Sequence, residues 1–248
     1  MRLAHVLLSA ALLPALAHAD GFADLRDALS RAQAPASLKG TVKVESTNRQ
    51  GSDTEEERGA ASLSFEDTAQ GLRLSYAPEL LARLDQEERA REKDPKAPAP
   101  TVAGLRGLEA GAVRGLLAPA RALLSTLADC TPTAETAEPW NGRPARHLVC
   151  QGGLGMVKAR DPKLVKKAES TLDVWIAADG MPLASRLRST LSGRALVVVS
   201  FEATTQVDSV YALAGERLVV VQQDSRFSGS GAGEKADSRV QRSVTLQR

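Results

Sequence analysis

The chain has 248 residues, 32 Lys and Arg against 30 Asp and Glu, and a formal charge of +2 at pH 7. So even a balance gives no electrostatic case for nucleic acid as a partner. Three histidines and two cysteines narrow the scope for metal and nucleophile chemistry, and only 3% of residues are aromatic.

In chain order, residues 1–19 come first and read as an export signal. Arg2 supplies the positive start. Leu3 to Leu16 is apolar apart from His5, Ser9 and Pro14, and Ala17-His18-Ala19 presents the small residues that a signal peptidase reads, so cleavage is expected after Ala19. The stretch is too short and too interrupted for a membrane span, and no later segment reaches ~18 unbroken apolar residues. No cysteine near the cleavage site could carry acyl chains. The expectation is a soluble periplasmic protein in which 248 less 19, or 229, residues form one domain over 20–248. The preference for Arg over Lys, and the lack of an N-x-Ser/Thr sequon at Asn48 and Asn141, fit a bacterial envelope.

Phe22 to Ala32 predicts a short helix with Phe22, Leu25 and Leu29 on one face, ended by Pro35. Leu38 to Ser46 alternates as a strand, and 48–59 is a polar turn. Ala61 to Glu66 and Leu72 to Tyr76 follow as strands, with a hairpin break over 67–71. Pro78 opens a helix carrying Leu80, Leu81 and Leu84 that becomes wholly charged. There Asp85 with Arg89, and Glu87 with Arg91, stand at i,i+4 spacing. A stiff Pro-rich connector occupies 93–100. This stretch reads either as a solvated excursion or as a mobile flap over an apolar opening.

Thr101 to Ala128 is the longest helical pattern. Leu105, Leu108, Ala112, Leu116, Leu123 and Leu127 share one arc, and Gly104, Gly107, Gly111 and Gly115 form a second stripe. Each glycine costs a helix ~1 kcal/mol relative to Ala, so close approach of another backbone is expected. Pro119 predicts a kink or a split. The excursion as a whole, 78–128, is expected to lie across the concave face of a sheet.

Cys130 and Cys150 form an even pair, which in an oxidising compartment predicts a disulfide between the end of this helix and a strand at 147–150. Closing a ~20-residue loop would stabilise the fold by roughly 3 kcal/mol on the chain-entropy account. The spacing is far from the C-x-x-C of a redox pair. His147 in that strand is the one imidazole left after the signal. A Ser-His-Asp triad would have to use it, and a zinc site would need Cys or carboxylate ligands instead. A plain strand histidine is the expectation.

Gly152, Gly153 and Gly155 then make a loop, and 162–169 a helical turn or two. Strands are predicted at 171–177, 183–191, 195–203, 207–213, 217–228 and 238–247. Turns at Asp179-Gly180, Ser192-Gly193, 214–216 and 229–237 separate most of them. Sequential strands with short turns predict an antiparallel up-and-down sheet, an α+β fold that is mainly β. Gly229 to Lys235 superficially suggests a phosphate loop. Glu234 breaks the Gly-Lys order, Ala236 stands where Ser or Thr is needed, and no helix follows. The acidic run 53–57 lacks the spacing and the glycine of a calcium loop.

Leu172-Asp173-Val174-Trp175-Ile176, followed by Asp179-Gly180-Met181-Pro182-Leu183, resembles the strand, turn and strand of the bacterial lipoprotein-localisation (LolA/LolB-like) superfamily. Leu25 to Val44 resembles that family's opening helix and first strand. The resemblance implies a half-open β-barrel closed by helices around an apolar cavity for acyl chains; its relatives include an envelope-stress sensor that acts by binding proteins. Independently, a curved sheet with one apolar face must cover that face. A gap under the cover would be an apolar pocket lined by Leu105, Leu108, Leu116, Trp175, Val197, Val199 and Phe201; without a gap these residues are core. Two readings follow. The first is a non-enzymatic periplasmic carrier or binder of a lipid or lipoprotein acyl chain. The second is an envelope protein-interaction or stress-sensor module with a filled core. An enzyme ranks third, and no cofactor is expected.

Overall fold

The computed structural model describes residues 20–51, 56–156, 162–195 and 199–247. The expected export signal, Val197 and most of the acidic run lie outside them. Among the described residues there are five α-helices: α1 (Gly21–Arg31), α2 (Pro78–Lys93), α3 (Pro100–Leu105), α4 (Ala110–Leu117) and α5 (Pro119–Ala128). The ten strands are β1 (Leu38–Gln50), β2 (Glu57–Thr68), β3 (Gly71–Ser75), β4 (Thr131–Ala137), β5 (Arg146–Gly152), β6 (Val165–Ile176), β7 (Pro182–Ala195), β8 (Val199–Ala214), β9 (Arg217–Gly231) and β10 (Glu234–Leu246). The fold is α+β and mainly β, as expected.

All ten strands pair antiparallel in one open sheet of order β3-β2-β1-β10-β9-β8-β7-β6-β5-β4. The chain starts mid-sheet, builds outward to the β3 edge, and crosses through the helices to the opposite edge at β4. It then returns strand by strand until β10 pairs with β1. The excursion at 78–128 is therefore the link between the two edges, and its helices cover one sheet face.

That face is apolar because alternate residues of each strand point the same way. Val42, Val44, Leu63 and Phe65 pack with Leu80, Leu108, Val113 and Leu117 in one cluster. Leu148, Leu172, Val174 and Ile176 pack with α1 and α5 through Leu25, Leu29, Leu123 and Leu127 in the other. Tyr211 packs against both, and burial pushes its phenol pKa up. Asp20 caps α1, its carboxylate accepting from the N–H groups of Phe22 and Ala23 at 3.0 and 3.3 Å.

The helical link departs from its predicted form in three ways. It breaks at a 3₁₀ turn (Arg106–Leu108) as well as at Pro119. Glu87 and Arg91 do not pair with each other. Glu87 accepts from the N–H groups of Thr101 and Val102 at the start of α3, while Arg91 binds Glu57 at 3.1 Å, so α2 is pinned at its far end. Of the glycines, Gly104 makes the expected close approach: a Cβ there would sit 2.5 Å from the Ala60 carbonyl carbon. Gly111 and Gly115 face open space.

Strand boundaries differ too. The three short strands expected at 183–191, 195–203 and 207–213 are two long ones, β7 and β8. Gly193 lies inside β7, where a Cβ would strike the Phe201 ring; it is a packing glycine, not a turn. Strand β4 was not predicted, and its seven residues are all exposed. Gly229 to Lys235 is the tip of the β9–β10 hairpin, turning at Ala232 and Gly233 with φ of 54° and 82°.

The Cys130–Cys150 disulfide is formed, with Cα atoms 5.7 Å apart, and ties the end of α5 to β5 as expected. It is consistent with an oxidising compartment. No helix among the described residues is long and apolar enough to cross a membrane.

Arg217 joins four segments. Its Nε donates to the Leu117 carbonyl at 2.8 Å, Nη1 to the Ala36 carbonyl at 2.9 Å, and Nη2 to Asp67. Arg217→Ala would leave the Asp67 carboxylate, only 14% exposed, without its cation, and an expected loss of about 3–5 kcal/mol is readable as a lower urea midpoint. Gly104→Ala should cost about 1–3 kcal/mol by forcing α3 off β2, whereas Gly111→Ala should stabilise by up to ~1 kcal/mol; thermal melts of the two variants check this.

Candidate functional site

Strand alternation sends the remaining side chains to the sheet face away from the helices. Val44 is buried toward them, while Lys43 and Glu45 are exposed on the other side. The register across β1, β10, β9, β8, β7 and β6 places Lys43, Ser243, Gln222, Val210, Ala184 and Trp175 side by side. The next row on this face is Glu45, Gln241, Asp224, Asp208 and Arg186. Both rows line an open groove of about 800 Å³. It runs across the strands, and five interstrand steps of ~4.8 Å make it about 24 Å long.

The β4–β5 hairpin contributes the end wall, through Glu138, Pro139, Trp140 and Asn141. Asn141 and Gly142 have φ of 48° and 76°, and Trp140 and Arg143 exchange backbone hydrogen bonds at 2.9 and 3.0 Å. This tight turn, with positive φ at both central residues, is what an Asn-Gly dipeptide favours, and it places Trp140 at the rim.

Trp175 is held from two sides. Its ring stacks on His147 with centroids 4.4 Å apart and planes 2° from parallel. Its Nε1–H donates to Glu138 Oε1 at 3.1 Å. Both nitrogens of His147 face carboxylates, Nδ1 to Glu138 and Nε2 to Asp173, each at 2.9 Å. The imidazole is thus a bracket for the indole, and among the described residues its hydrogen-bond partners are these two carboxylates. Asp173 Oδ2 is buried without a hydrogen bond, and its nearest cation is Arg188 at 3.8 Å.

Charge on the groove floor is closely paired. Asp208 and Asp224 stand directly opposite each other on β8 and β9, a like-charge placement that costs stability. Arg186 and Gln206 hold Asp208. Arg239 and Arg226 hold Asp224, at 2.8 and 2.7 Å. The Arg239 hydrogen bond, aided by Arg226, keeps the Asp224 carboxyl below the usual carboxylate range. That is the wrong direction for a general acid at neutral pH. Among the described residues, no group of three or more His, Cys, Asp or Glu could hold a metal ion.

The sequence-predicted lining is dispersed. Leu108 and Leu116 are sealed in the cluster of Val42, Val44 and Phe65, and Leu105 packs partly buried against it. Val199 and Phe201 lie at the start of β8, and Phe201 lines a smaller depression with Gly193 and Arg194. Val197 is outside the described residues. Trp175, on the face away from the helices, lines the groove. The polar floor was not predicted as a site. Its signals were present in the alternation of Lys43 with Val44, in Arg186 and Arg188, and in the Asn141-Gly142 turn.

Because the Asp224 carboxyl is depressed in the fold, its stabilisation is present above its unfolded value, near the ordinary 3.8, and is lost as pH falls through the folded value. Asp224→Asn also leaves Arg226 opposite Arg239 without an anion. The variant's urea midpoint should therefore lie below that of the unmodified protein at pH 7, with the gap closing as pH falls below about 4. No protein-family model matches this sequence, and a search of curated proteins finds no match.

Proposed function

We propose that this chain is a non-enzymatic binding module of the bacterial envelope, with a filled core, that works from the polar groove on its open sheet face. The observation that carries this reading is the contrast between the two faces. Leu25, Leu29, Val113 and Leu117 are 0% exposed under the helices, while the large groove opens on the reverse side and is lined mainly by polar and charged groups. The signal-like residues 1–19 and the disulfide support an exported, periplasmic site of action. The element order and the strand-turn-strand passage at 172–183 support kinship with LolA/LolB-like proteins, and the filled core favours a binding module over an acyl carrier.

A second reading, binding of an acyl chain, is favoured by one observation. Further along β8 and β9, Phe201 and Phe227 lie on the helix-side face but outside both core clusters, and Phe227 is 38% exposed.

Native mass spectrometry of protein recovered from the periplasm, combined with photo-crosslinkers placed at Gln222 and at Phe227, separates the two. The expected result is a lipid-free mass for the chain cleaved after Ala19, with adducts to envelope components formed from position 222. Stoichiometric co-purifying lipid, or acyl-chain adducts formed from position 227, would overturn the proposal in favour of the carrier.

A further inference from the structure

We infer that the groove takes a neutral, linear oligosaccharide. The inference rests on the groove being the binding surface and adds the chemical class of its ligand. Three features carry it: the path of the groove, its aromatic end wall and its charge balance.

The groove crosses six strands at right angles to their direction. The strands beneath it, from β1 to β6, each have a hydrogen-bonded neighbour on both sides. Their backbone groups are committed to the ladders, so the floor offers an extended peptide no strand edge to pair with. Recognition must come from side chains. A length of about 24 Å, within a volume typical of the ~300–1,000 Å³ of small-ligand sites, suits a short linear oligomer.

Both tryptophans of the chain, Trp140 and Trp175, line this one groove. Indole faces are broad, rigid and apolar, with a negative π face. They match the C–H face of a pyranose ring, which leaves the hydroxyls to the groove floor. Trp175 is fixed by His147 and Glu138, so stacking on it requires little reordering. Between the bulkier side chains, Ala184 and Ser243 keep the floor low.

The charges that line the groove balance. Lys43, Arg186 and Arg226, with Arg239 bound to Asp224, oppose Glu45, Glu138, Asp208 and Asp224, so the groove selects neither a polyanion nor a polycation. Gln222 and Gln241 are exposed, and among the described residues their side chains make no hydrogen bond within the fold. Each offers a carbonyl acceptor and an NH₂ donor, which is the pairing that neighbouring hydroxyls need.

The test is titration of the purified full-length, signal-cleaved protein with maltotetraose, cellotetraose and tetra-N-acetylchitotetraose, followed by tryptophan fluorescence and calorimetry. A hyaluronan tetrasaccharide and an extended Ala-Pro octapeptide serve as comparison ligands. At least one neutral tetrasaccharide should bind and shift the tryptophan emission. Gln222→Ala should weaken binding about tenfold, the equivalent of one hydrogen bond, with an unchanged melting temperature. Trp140→Ala should weaken it more, and Trp140→Phe should restore part of the loss. No binding of any neutral tetrasaccharide at about 10 mM, or binding of only the anionic sugar or the peptide, overturns the inference. If that failure comes with lipid-free protein and adducts from position 222, only the ligand class falls. If it comes with co-purified lipid, the proposed function falls with it.

Discussion

The structure depends most on a nearly buried ion pair, Arg217 with Asp67, at the place where the chain's separate excursions meet. Arg217 opens β9, Asp67 ends β2, Ala36 lies between α1 and β1, and Leu117 ends α4. The Leu117 carbonyl is one of the orphan acceptors every helix end leaves. A guanidinium with five fixed donors can satisfy such an acceptor while also neutralising a carboxylate. Beside it, Leu218 N–H donates to the Ala32 carbonyl, so the first helix, the helical link and the centre of the sheet are held at one joint. Arg242 repeats the device on β10, its Nε donating to the Gly107 carbonyl at 2.9 Å.

With the helical link held in this way, the two faces of the sheet have separate duties. The helix-side face gains its stability from apolar burial. Among the described residues no helix covers the reverse face, which is built from cross-strand ion pairs and amides that tolerate water. Its arrangement is not the one stability alone would select. Asp208 faces Asp224, Arg226 faces Arg239, and the cost of each like-charge pair is offset by the other sign one row away. Such placements fit the proposed role of this face in binding. The groove and the His147 bracket around Trp175 occupy this face, so binding there need not disturb the packed core.

Much of the fold was legible along the chain. The amphipathic helix at 22–32, the meander of β1 to β3, the break at Pro119 and the disulfide all follow from local periodicity, turn residues and an even cysteine count. Strand β4 was not legible because Thr131 to Ala137 lies fully exposed at an edge and carries no hydrophobic alternation. Gly193 was read as a turn because a glycine between two β-rich runs is ambiguous until the opposing Phe201 ring is in place. The glycines of the helical link looked alike in sequence, yet only Gly104 meets a backbone closely, since contact depends on which strand lies beneath each turn. The site was least legible. Its floor draws one or two residues from each of six strands, and register between strands is a long-range property.

The sequence by itself determined the fold class, the cysteine pairing and which side chains alternate, because each depends on neighbours within a turn or a strand. Only the tertiary structure decided that Trp140, Trp175, Gln222 and Asp208 share one groove, and that Leu108 and Leu116 are core rather than lining. The physical reason is that β1 pairs with β10 and the helical link joins opposite sheet edges. Those contacts span most of the chain, and no local pattern encodes them.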